Sequence, residues 1–238
     1  HLVQEPTLIA AYRSEATGTK IDIHDMMRAE LELPVGKKYR DAAKNGVFAT
    51  CYDAKGPKFA ETVGLPLEQA EAVRTKFLER LPRLAELKRM AINSLREKGF
   101  VESIFGWRGY FPLYWSPIYS EQQEALRAAL NMPVQSMGAG IVKLWMIRAM
   151  RWIRAQGVDV LPILQVHDEM VFECWSQDVI FVAQALMFIA RVIGEEYNLS
   201  VPIKLEGKVG PNWNDDPEAP DGMKDLEEWV RDYAEVPQ

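Results

Sequence analysis

The stretch PILQVHDEMVFEC, residues 162–174, sets His167, Asp168 and Glu169 in the middle of an apolar run. The arms on either side, VLPILQV and EMVFEC, are rich in apolar and β-branched residues and are separated by two residues. That gap is the signature of a tight antiparallel hairpin. The usual Asn-Gly or Asp-Gly is missing, but Asp and His tolerate a positive φ better than most residues, so His167-Asp168 can form the tip. A tip raised on a stiff, half-buried hairpin holds a carboxylate still. Asp168 beside Glu169 supplies the oxygen ligands that a hard cation such as Mg²⁺ takes. For this stretch alone, an exposed polar turn is the competing reading. A zinc site fails for want of ligands, since His1 and His24 offer no spaced motif.

The whole chain sets bounds on these readings. Its 238 residues are 48% hydrophobic and 26% charged, which suits one large globular domain or two small ones. A net charge of −6, from 28 Lys+Arg against 34 Asp+Glu, argues against a surface that attracts nucleic acid everywhere. A local basic stripe stays possible. Two cysteines, Cys51 and Cys174, make no disulfide framework and fit a reducing interior. No apolar run approaches the roughly 18 residues of a membrane span, so none is expected, and no signal-peptide pattern is present. The chain opens on His1-Leu2-Val3 rather than Met, which reads as the interior of an element and suggests a piece of something longer.

Periodicity predicts helices within residues 1–33, with Asp22 or Asp25 as a cap, and over 37–53. Residues 66–99 read as helix, interrupted at Pro82 and ended by Gly99. A short aromatic hairpin is expected at 100–115. Helices follow at 120–135, ended or kinked by Pro133, and at 138–157 and 178–197. One or two strands are expected in 201–213, and a short helix at 223–234 in an acidic tail. The fold class is therefore α+β, mostly helical with a small antiparallel sheet.

Two further segments carry chemistry. Arg40, Lys44, Phe48 and Tyr52 stand four apart, and each step of four overshoots a helical turn by about 40°, giving one gently winding stripe. Cations at one end suit phosphate oxygens, and rings at the other suit stacking on a base or sugar. The plainer reading buries Phe48 and Tyr52 and leaves Arg40 and Lys44 as a solvated face. In RAALNMPVQSMGAGIVK (127–143), Arg127, Asn131, Gln135 and Lys143 surround a proline break amid small residues. Asn and Gln can donate to minor-groove acceptors that every base pair shows. A kinked structural helix with internally satisfied amides is the alternative.

In this order, the three segments together resemble the palm and fingers of family A DNA polymerases, over residues 1 to about 214. The 40–52 stripe resembles that family's motif B, NMPVQSMGAGIVK its palm helix and QVHDE its motif C. DIH (22–24), FGWRGYFP (105–112) and GPNW (210–213) are lesser similarities. The resemblance implies residues 1–33 as the palm/fingers start, 34–100 as fingers, 101–214 as palm and 215–238 as an acidic tail. It implies Asp168 as one of two metal-bridging aspartates, supported by Glu169, with His167 near the primer end. Arg40 and Lys44 would hold the dNTP triphosphate, with Lys44 also stabilising charge during the reaction. Phe48 would pack on the base and sugar, and Tyr52 would stack at the templating position. Arg127, Asn131 and Gln135 would contact primer–template DNA. Two Mg²⁺ ions would serve attack of a primer 3′-hydroxyl on the α-phosphate. Phe48, in place of Tyr, implies discrimination against dideoxynucleotides. The expected location is the cytoplasm of a bacterial or phage-infected cell, with no membrane partner.

The departures from the family pattern are informative. Motif A, with the second aspartate, is expected upstream of residue 1, on a separate chain or in sequence absent here. Asp53 stands where the family usually has Gly, Ser136 where it has Gly, and Gly140 where it has Asp. Asp53 is expected to put negative charge near the template path. Two alternatives stay open: a polymerase-derived DNA-binding or assembly subunit without chemistry, and an unrelated Mg²⁺-dependent phosphohydrolase, which leaves the stripe unexplained. The tail is either a docking segment or a disordered acidic extension.

Overall fold

A computed structural model describes residues 1–14, 22–214 and 222–235. The chain divides into two compact units, His1–Gly140 and Ile141–Gln238. Helices α1 (Pro6–Ser14), α2 (Ile23–Glu30), α3 (Lys37–Cys51), α4 (Gly56–Val63), α5 (Leu67–Glu79) and α6 (Leu84–Lys98) begin the first unit. A hairpin of β1 (Phe100–Glu102) and β2 (Arg108–Tyr110) follows, with Val101 opposite Gly109. Asp22 is the cap of α2, its carboxylate accepting from the amides of His24 and Asp25. Helix α4 lies between 53 and 66, where the sequence reading assigns no element. Its Gly56-Pro57 start looks like a breaker, but proline is welcome in a first helical turn.

Helix α3 buries Ala43 and Val47 in one cluster with Met27 of α2 and Phe59 and Val63 of α4, and buries Thr50, three residues on, with its hydroxyl donating to Gly46 O. Gly46 lies on the same face, where an added Cβ would come within 3.1 Å of Val63 and 3.4 Å of Met27, so the backbones meet closely. Glu5, only 2% exposed, joins α1 to the start of α6: one oxygen accepts from the Thr7 amide at 3.2 Å, the other from the Arg83 amide at 2.8 Å. A second apolar cluster gathers Ala91, Leu95, Val101, Leu126, Ala129 and Leu130.

Helix α7 (Tyr119–Gln156) runs unbroken for 38 residues with Pro133 inside it, which corrects the expectation of two helices. A proline removes one amide hydrogen bond. The packing of Ala129 and Leu130, both buried in the apolar cluster, holds the turn that the proline weakens. The division between the two units falls within α7.

The second unit contains β3 (Val160–Val166), β4 (Glu169–Cys174), α8 (Val179–Glu196), β5 (Lys208–Val209), β6 (Lys224–Asp225) and α9 (Leu226–Glu235). Its core joins Trp145, Ala149 and Ile153 of α7 to Val160, Val182, Leu186, Ala190 and Ile193. The Trp145 indole donates to the Leu186 carbonyl at 3.0 Å. The 201–213 segment contains one strand, the two-residue β5, within the expectation of one or two; its pairing partner is β6 in the tail. By length and composition, α8 is apolar enough to cross a membrane, contrary to the sequence expectation. Its Val182, Leu186, Ala190 and Ile193 are buried against the core, as in an amphipathic core helix. Each sheet has two strands and is antiparallel, in keeping with the small-sheet α+β expectation.

The tail is where the charge sits. Residues 215–238 hold nine acidic and two basic residues, leaving 26 Lys+Arg against 25 Asp+Glu in residues 1–214. Its described part is ordered: the Leu226 amide donates to Gly207 O at 2.8 Å, and Leu226 packs on Gly207.

Candidate nucleotide and nucleic-acid site

On α3, Arg40, Lys44 and Phe48 lie on the open face, away from the buried Ala43-Val47-Thr50 row. Phe48 is 46% exposed, so it is no core residue. Its ring is 6.4 Å from that of His24 and 6.0 Å from the Lys44 ammonium. Arg40 is ion-paired to Asp22 at 2.8 Å. Burial works to raise the Asp22 carboxyl, but the Arg40 guanidinium and the His24 and Asp25 amides outweigh it and hold the group below its ordinary value. Burial, with Arg40 and Lys44 nearby, lowers His24. Its Nδ1 is buried without a hydrogen-bond partner among the described residues. A cavity of about 540 Å³ opens beside Arg40, lined by Asp22, Asp25, Met26, Ala29, Glu30, Arg40 and Arg80.

Tyr52 caps the end of α3 and is half-buried. The Gln135 amide donates to its hydroxyl at 3.3 Å, joining two predicted site residues 83 positions apart. Arg127 and Gln135 are exposed, while the Asn131 side-chain oxygen is buried with no partner among the described residues. A buried polar atom left unpaired costs about 1–3 kcal/mol. The Ser136 hydroxyl donates to Met132 O at 2.6 Å, back along its own helix. At Gly140, an added Cβ would lie 2.2 Å from the Phe105 ring, so the ring occupies the space a larger side chain would need. That packing accounts for glycine at this departure.

The hairpin tip belongs to the second unit. Val166 pairs with Glu169, leaving His167-Asp168 as the two-residue loop, and His167 takes φ +52. His167 is fixed further by Gln165, whose amide donates to its carbonyl at 2.6 Å. His167, Asp168 and Glu169 are all exposed, and neither carboxylate has an ion-pair partner among the described residues. The tip is thus not a pair of buried charges. The arm below it is more open than its apolar pattern implies: Leu161 is 59% and Ile163 51% exposed, and β3 pairs with β4 alone among the described residues. Its register shifts between Pro162 and Leu164.

Sequence reading missed the role of Asp22, legible only as a helix cap, because its partner lies 18 positions on. It noted His24 within DIH but gave no reason for it to meet Phe48.

Comparison with known proteins gives the family of the chain. The model described as DNA polymerase family A matches residues 1–215, so the chain belongs to DNA polymerase family A. DNA polymerase I of Pseudomonas aeruginosa is 31% identical over 219 residues, 90% of this chain and 23% of that protein. The thermostable DNA polymerase I of Thermus aquaticus is 31% identical over 73% of this chain and 20% of its own length. Among solved structures, the POL domain of Pol1 from M. smegmatis, in complex with DNA primer-template and dNTP, superposes with a TM-score of 0.76. It is 25% identical, over 86% of this chain and 35% of that one. The chain thus spans about a quarter or less of the curated relatives it matches.

Proposed function

We propose that the chain is the palm-and-fingers portion of a template-directed DNA polymerase that adds dNTPs to a primer 3′-hydroxyl. The observation that carries this is the open face of α3, which presents Arg40, Lys44 and Phe48 while Gln135 meets Tyr52 at its end. Arg40 and Lys44 would grip the triphosphate through charge-assisted hydrogen bonds. Lys44 would also stabilise charge that develops as pyrophosphate leaves. Phe48 would pack on the base and sugar, and Tyr52 on the templating base. Asp22 makes Arg40 ready to exchange partners: when the guanidinium turns to phosphate, the carboxylate keeps its two amide donors on α2. Arg127, Asn131 and Gln135 would contact the primer–template.

Asp168 would hold Mg²⁺ with Glu169 in support and His167 near the primer end. Two exposed carboxylates without protein cations fit a hard cation that keeps waters and phosphate oxygens as further ligands. When bound, two such ions supply charge stabilisation at the transferring phosphate. The second aspartate would come from an upstream polypeptide carrying motif A. The length of the relatives supports this, as does the open apolar edge of β3, the kind of edge that a further strand covers. The two free cysteines suit the cytoplasm of a bacterial or phage-infected cell.

Primer extension with Mg²⁺ and dNTPs tests the proposal, using this chain alone and then with the upstream portion. Extension in the mixture, lost in Asp168→Ala, is the expected result. DNA binding without extension in the mixture would favour a non-catalytic subunit, and extension by the chain alone would refute the shared metal site.

A further inference from the structure

Asp53, where the family usually has glycine, follows Tyr52 directly and has left-handed backbone, φ +57. Aspartate tolerates that region better than most residues, and the helix end is closed there by the Asp53 amide donating to Thr50 O and the Ala54 amide to Ala49 O. The Asp53 side chain adds ties to three cations. Lys88 of α6 meets one carboxylate oxygen at 2.5 Å, and Arg74 of α5 and Lys55 meet the other at 3.3 and 3.4 Å. The Arg74 side chain is 11% exposed, and its Nε donates to Ala54 O at 3.0 Å. Glu71, paired to Arg74, accepts from the Gly56 amide. The three cations outweigh the Asp53 and Glu71 carboxylates, so this corner does not present the net negative charge expected from Asp53.

We infer that Asp53 is a positioning residue for Tyr52. It is an ion-locked anchor that ties the end of α3 to α5 and α6 and keeps the Tyr52 ring in register with Gln135. A glycine at this position would close the same helix end but would lack the ionic ties to α5 and α6. Fixing Tyr52 is itself a structural claim; its consequence for templated insertion rests on the proposed polymerase reading.

Two readouts separate these levels. In the first, the full chain is labelled with 3-fluorotyrosine, and the Tyr52 resonance is identified by its loss in Tyr52→Phe. Asp53→Asn keeps tolerance of the left-handed backbone but removes the charge, and Lys88→Met removes one cation without touching residue 53. Both variants should shift or broaden the Tyr52 resonance, and added salt should move the wild-type resonance toward that of Asp53→Asn. An Asp53→Asn spectrum superimposable on wild type at Tyr52 would overturn the inference, whatever the activity. The second readout is single-nucleotide insertion by the chain with its upstream portion. Asp53→Asn should lower kcat/KM about tenfold, and the loss should vanish in a Tyr52→Ala background, since the two residues act through one contact. An equal loss in both backgrounds would refute positioning through Tyr52. If the wild-type mixture extends no primer, the polymerase reading fails, and the fluorine spectra still decide the anchor.

Discussion

The open face of α3 and the tip of the β3–β4 hairpin handle charge in opposite ways. On α3, Arg40 arrives paired to Asp22, and Asp53 just past its end is held by Lys88, Arg74 and Lys55, while Lys44 lies 6.0 Å from the Phe48 ring. At the tip, Asp168 and Glu169 are consecutive and both exposed, with no ion-pair partner among the described residues. Adjacent like charges repel, and only solvent or an incoming cation relieves them. The difference teaches which partner each region awaits. On the proposed reading, the helix would exchange one ion pair for another when an anion binds, whereas the hairpin would take up positive charge that the described residues do not supply.

The largest expected effect breaks the hairpin side of this contrast. Asp168→Ala should lower kcat of the assembled polymerase by about a thousandfold, as loss of a group that stabilises transition-state charge does. Because the residue is exposed, thermal unfolding should be unchanged. A matching drop in melting temperature would reassign Asp168 to structure.

Next comes the helix side. Arg40→Ala should raise the dNTP KM about 10- to 100-fold with kcat less affected, the range expected for one charge-assisted contact to phosphate. Asp22→Asn should act the other way on KM, by a few-fold at most, because asparagine caps a helix as well as aspartate while releasing Arg40. Steady-state kinetics of both variants sharpen the exchange account, and a raised KM in both would contradict it.

How much of this was legible in the sequence depends on the range of the interaction. The stripe on α3 was readable because helical geometry fixes what residues four apart do, and the hairpin because a two-residue gap leaves few turns. Which face of α3 is buried was left open by the sequence; the structure buries Ala43, Gly46, Val47 and Thr50 and leaves Phe48 exposed and Tyr52 half-buried. What stayed hidden lies between distant residues: Asp22 to Arg40, Gln135 to Tyr52, Lys88 to Asp53. Nothing in local spacing encodes such pairs. The alternation in VPIKLEGKV suggested strands, yet only Lys208 and Val209 find a partner, and that partner lies in the acidic tail.

Smaller effects test the frame of the first unit. Glu5→Ala should lower its unfolding free energy by about 2–3 kcal/mol, because two amides at helix starts lose their buried acceptor. Denaturant melts of both proteins check this.

The Asp22–Arg40 pair adds a pH dependence. Its folded-state pKa is depressed, so its contribution is complete above the ordinary aspartate range and is lost as pH falls through the lowered value. The stability difference between wild type and Asp22→Asn should therefore shrink on acidification below about pH 4. A difference that grows there would reverse the assignment.

The mildest test is chemical. Burial pushes the Cys51 thiol up to about 11, so iodoacetamide at pH 8 should modify it far more slowly than a free thiol. Peptide mapping after timed alkylation reads this.

The contrast itself is tested most directly by divalent-metal binding, followed by the EPR signal of Mn²⁺ as a stand-in for Mg²⁺. The account predicts weak binding to this chain alone, a marked gain when the upstream portion is added, and loss of that gain in Asp168→Ala. Equal affinity with and without the upstream portion, or a gain that survives Asp168→Ala, would contradict it.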